Sequence, residues 1–85
     1  SNFKAEKQNG RIVLQWVYPL PDVKHYRIYR AKNNDMFTLF TSQPGTANEF
    51  TDNLLFPGNV YKYKISAVLQ GDVKSAMSRV IEVIY

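Results

Sequence analysis

The segment Tyr61-Lys62-Tyr63-Lys64-Ile65-Ser66-Ala67 alternates residue by residue, with Tyr, Tyr, Ile and Ala on one side and Lys, Lys and Ser on the other. Successive side chains of an extended chain point to opposite faces. The run therefore predicts a strand with one face in a core and the other toward water, the usual situation in antiparallel sheets. A helix would scatter the same residues around its circumference. The period of two recurs. Ile12, Leu14 and Trp16 share one face, with Val13 and Gln15 on the other; Tyr26-Arg27-Ile28-Tyr29-Arg30 alternates again; and Ile81 and Val83 point inward around an outward Glu82. No segment shows a convincing helical period.

Turn chemistry divides these runs. Asn9-Gly10 is the strongest short hairpin signal. Pro19-Leu20-Pro21-Asp22 breaks any strand, and Asn33-Asn34-Asp35, Pro44-Gly45, Asp52-Asn53, Pro57-Gly58 and Gly71-Asp72 mark further turns. Seven short strands result, near residues 3–7, 11–17, 24–31, 36–42, 47–51, 59–69 and 74–84. Strands at this spacing imply an all-β sandwich or barrel. The 85 residues form one domain, 1–85, without internal repeats or a linker. Strand-like sequence lies close to both ends, as expected of a domain cut from a longer protein.

A chain this short buries roughly 60–65% of its surface on folding, which leaves little room for an enclosed ligand cavity of about 300–1,000 Å³. Sites are expected on the surface. There is no cysteine, which excludes thiolate metal sites and cysteine nucleophiles. The net charge of +4 leans toward acidic partners; its plainer meaning is solubility. No apolar stretch approaches the roughly 20 residues of a membrane-spanning helix, and no membrane insertion is expected.

The residues that bear chemistry are few. His25 is the single histidine, and no Gly-x-Ser-x-Gly elbow accompanies it; a surface imidazole is the expectation. Glu49 and Asp52 flank a turn and are the one pair placed to share a cation, but calcium recruits six to eight oxygens, so a solvated turn with Asp capping is expected there and no metal. The four glycines are isolated in turns and form no phosphate cradle. Neither a cofactor nor nucleic acid is expected.

The run Leu55-Phe56-Pro57-Gly58-Asn59-Val60-Tyr61, leading into the alternating strand, resembles the tyrosine corner of a fibronectin type III domain. Leu14-Gln15-Trp16 with Pro19 and Pro21, then Tyr26–Arg30, Phe50-Thr51-Asp52, and Gly71, Ser75 and Ser78 before Ile81-Glu82-Val83 follow that family's order. The resemblance implies a seven-stranded antiparallel Greek-key β-sandwich with Trp16, Tyr26 and Tyr61 in its core. Its wording is most similar to modules of secreted or cell-surface bacterial proteins, often beside glycoside hydrolases. Where some relatives carry Arg-Gly-Asp, this chain reads Gln70-Gly71-Asp72.

The function so implied is a non-catalytic spacer or interaction module, secreted or on the cell surface, and a monomer when isolated. Its partners would be the adjacent domains of the parent protein. The alternative is an accessory module that binds a polysaccharide or a surface protein. The candidate interaction surface is Arg27, Tyr29, Lys62 and Lys64, joined by His25, Val80, Glu82 and Ile84 if the three strands concerned share a sheet. The plainer reading of that face is solvation with cross-strand Lys–Glu pairing.

Overall fold

The computed structural model describes residues 2–19 and 21–85. The seven strands are β1 (Asn2–Gln8), β2 (Arg11–Val17), β3 (Val23–Lys32), β4 (Thr38–Pro44), β5 (Glu49–Asp52), β6 (Val60–Leu69) and β7 (Ile81–Ile84). They form two antiparallel sheets, in the orders β1-β2-β5 and β4-β3-β6-β7, packed as a sandwich.

The turns act as their residues require. Asn9 and Gly10 both take positive φ, 50° and 77°, the demand of a two-residue turn that matches strand twist, and Gln8 pairs with Arg11 across it. At Gly45 the need for glycine is one of space, since a Cβ would run into the Val23 carbonyl group. The break at 19–22 falls where expected between β2 and β3, with Leu20 outside the described residues.

The core is the inward half of every alternation. Ile12, Leu14 and Trp16 of β2 face Tyr26 and Ile28 of β3, Tyr61, Tyr63, Ile65 and Ala67 of β6, and Ile81 and Val83 of β7, with Phe3 closing one side. Trp16 packs edge-on to Tyr26 at 5.4 Å between ring centroids, a favoured aromatic arrangement. The Tyr61 hydroxyl accepts the Phe56 N–H at 2.7 Å while its ring is wholly buried. That is the tyrosine corner expected from the sequence.

Three strands differ from their expected bounds by two residues or more. β4 spans 38–44 rather than 36–42, and the Phe37 ring just before it packs beneath the Lys64 ammonium, 4.4 Å away. β5 runs over 49–52 instead of 47–51, its last residue pulled inward. The largest difference is the last strand, which spans 81–84 and not 74–84. Over 75–78, two serines stand in for the missing strand. Ser75 gives its N–H to the Ala67 carbonyl and accepts the Ala67 N–H on Oγ, and Ser78 does the same for Ile65. The edge of β6 is thus satisfied while Ala76 and Met77 loop outward, exposed.

Candidate interaction face

The four sequence-predicted residues lie together on the outer face of the four-stranded sheet. β3 and β6 are adjacent, and directly opposed residues of an antiparallel pair share a face. Tyr29 stands across from Lys64, Ala31 from Lys62 and Arg27 from Ser66. Lys62 in turn opposes Glu82 of β7. His25 and Ile84 join the face as expected, whereas Val80 precedes β7 and is outside the strand.

This face is not simply wet. Arg27, Tyr29, Lys62 and Lys64 are each half-buried, and the small residues between them are covered: Ala31 is 3% exposed, Ser66 5% and Val68 4%. Long stems lying across a sheet bury their neighbours while keeping the charged head outside. The Lys64 ammonium is fixed over the Phe37 ring, and the Arg27 Nε is buried with no hydrogen-bond partner. Lys62 and Glu82 share a register position but make no ion pair. The ion pairs among the described residues are Lys24–Asp72 and Arg30–Asp52.

A second polar constellation lies inside the sandwich. Asp52 is fully buried in the row of Ile12, its register partner. One carboxylate oxygen, Oδ2, accepts from Arg30 Nη1 at 2.6 Å and from the Tyr63 hydroxyl at 2.6 Å. The other, Oδ1, accepts the Leu54 N–H at 2.9 Å. Arg30 also donates to the Leu54 carbonyl at 2.9 Å and stacks over Phe40 and Tyr61, 4.1 and 5.1 Å from their ring centroids. Burial, reinforced by its bond to the Asp52 carboxylate and by the carboxylate's charge, pushes the Tyr63 phenol far above its usual range.

The pairing of Glu49 with Asp52 is thereby excluded. Residues three apart on a strand point to opposite faces: Asp52 faces in, while Glu49 is exposed and accepts from Gln15 Nε2 at 2.9 Å. Among the described residues no three His, Asp or Glu side chains come together in a metal-holding group. The Arg30–Asp52–Tyr63 site carried a signal in the sequence, because Arg30 continues the inward row of Tyr26 and Ile28. A cation on an inward row asks for a buried anion, and Asp52 supplies it.

Two surface recesses flank Trp16. One, of about 530 Å³, is lined by Phe3, Lys4, Gln15 and Arg79 among others. The other, of about 250 Å³, is lined by Tyr18, Tyr26 and Met77. At the opposite pole the chain exposes Met36, Leu54, Phe56 and Ile84. The turns there are locked together, with the Asn33 side chain bonded to Asn59 and to the Val60 N–H.

No family model matches the chain, and no curated protein does so either. Solved structures do. An Fn3-like protein from Clostridium thermocellum superposes with a TM-score of 0.78 at 23% identity, over 95% of this chain and 84% of that one. The fold is fibronectin type III-like. The same Fn3-like sandwich fits part of pectate lyase PelI from Erwinia chrysanthemi, solved with tetragalacturonic acid, at a TM-score of 0.85 and 15% identity over 94% of this chain. It also fits part of a β-1,2-glucanase from Parabacteroides distasonis, at 0.81 and 25% over 96%. This chain spans 27% of the lyase and 12% of the glucanase.

Proposed function

We propose that this chain is a non-catalytic Fn3-like module working beside other domains of a larger secreted or cell-surface protein that acts on polysaccharide. The observation that carries the reading is the recurrence of the whole sandwich as a minor part of polysaccharide-acting chains: it spans 27% of the pectate lyase and 12% of the glucanase. Its own chemistry agrees. The inward carboxylate, guanidinium and phenol are bonded to one another rather than presented to solvent. The pole carrying Met36, Leu54, Phe56 and Ile84 offers the apolar side chains that an interdomain contact buries. The isolated chain, as a monomer, should turn over neither polygalacturonate nor β-1,2-glucan. Turnover by a pure sample, lost on mutation of a residue of this chain, would contradict the reading.

A further inference from the structure

The charges of the two outer faces differ. On the three-stranded sheet the outward charged residues are Lys4, Glu6, Arg11 and Glu49, two of each sign. On the four-stranded sheet they are Arg27, Lys62 and Lys64 against Glu82 alone. Of the two outer faces, only that of the four-stranded sheet carries a surplus of positive charge. It is also ordered. Outward positions of one strand repeat at about 7 Å and neighbouring strands lie about 4.8 Å apart. Lys62 and Lys64 are consecutive outward positions of β6, and Arg27 lies across from the next, Ser66. The three cations thus follow the strand direction over about 14 Å, shifting one strand sideways at Arg27. Tyr29 lies beside Lys64, between the rows of Lys62 and Arg27.

We propose that this strip binds a linear polysaccharide bearing carboxylates, with Lys62, Lys64 and Arg27 meeting the anions and the Tyr29 ring lying against a sugar. The proposal rests on the accessory-module reading above and names the ligand class of such a module. Two side chains are held in advance, which lowers the ordering cost of binding: Lys64 over Phe37, and Arg27 within the sheet surface. The Arg27 Nε is covered by the sheet surface, so the guanidinium nitrogens beyond it are the donors that would meet a carboxylate. A protein partner would call for an apolar centre to the patch. Here the centre is polar, and the exposed large apolar residues of the face, Leu39 and Ile84, sit on the strands at its two edges.

Affinity electrophoresis of the 85-residue chain through gels containing polygalacturonate, or the same polymer fully methyl-esterified, tests the proposal. Retardation is expected in the acidic polymer only and should weaken as salt screens the contact. The variant Arg27→Gln/Lys62→Gln/Lys64→Gln should lose about tenfold in apparent affinity, as expected if each charge pair contributes modestly. Lys4→Gln/Lys7→Gln/Arg11→Gln removes as much charge from elsewhere and should bind as the parent does. Thermal unfolding of both variants confirms that they are folded. Equal loss in the two variants, or equal retardation of the parent by duplex DNA, would reduce the effect to general cationic attraction and overturn the strip. No retardation of the parent would also overturn it, while leaving the accessory reading to the turnover assay.

Discussion

A carboxylate without exposure persists in so small a core only where its oxygens have donors, because an unpaired buried charge is far costlier than a buried apolar group. Asp52 meets that condition through Arg30, Tyr63 and the Leu54 N–H. The arrangement makes Tyr63 a reporter of the folded state. Its phenol is held protonated above the ordinary value of 10.0, so ionisation of Tyr63 favours the unfolded chain. The contribution is complete below pH 10 and is lost as pH rises beyond it toward the folded value. Tyr63→Phe should cost about 1.5–3 kcal/mol at neutral pH, the range for a hydrogen bond to a charged group. The gap between variant and parent should narrow when denaturation is repeated above pH 10. A gap constant with pH would mean that the phenol titrates normally.

At the scale of elements, the serine pair beside β6 is the least strand-like part of the sheet and one of its most dependent. Ser75→Ala/Ser78→Ala removes the acceptors of the Ala67 and Ile65 N–H groups and should cost about 1–3 kcal/mol in total. Amide exchange at those two positions should accelerate, while exchange at Tyr26 and Ile28, on the other side of the sheet, changes only with global stability. The same segment shows where the sequence was legible and where it was not. Alternation located β2, β3 and β6, because their inward rows are unbroken from Ile12 to Trp16, Tyr26 to Ile28 and Tyr61 to Ala67. Proline and Asn-Gly chemistry located their ends. Residues 74–80 misled, because serine hydroxyls mimic a strand's hydrogen bonds without its backbone path, and only coordinates distinguish the two. The basic outer face was legible as composition, yet the burial of Ser66 and Val68 on it was not. Period two assigns a side, and cannot register a long neighbour lying over a short one.

At the scale of the molecule, the side chains divide into those that hold the sandwich closed and those left on its surface. The Asp52 network, the tyrosine corner and the aromatic core belong to the first group; Arg27, Lys62 and Lys64 belong to the second. Equilibrium denaturation of two variants tests this division directly. Asp52→Ala strands the Arg30 guanidinium, 18% exposed, and the Tyr63 hydroxyl without their shared acceptor, and should cost about 3–5 kcal/mol. Arg27→Gln/Lys62→Gln/Lys64→Gln should stay within about 1 kcal/mol of the parent, the scale of the single Lys64–Phe37 contact that it breaks. A triple variant as unstable as Asp52→Ala would show that the basic face holds the fold together, and would contradict the account.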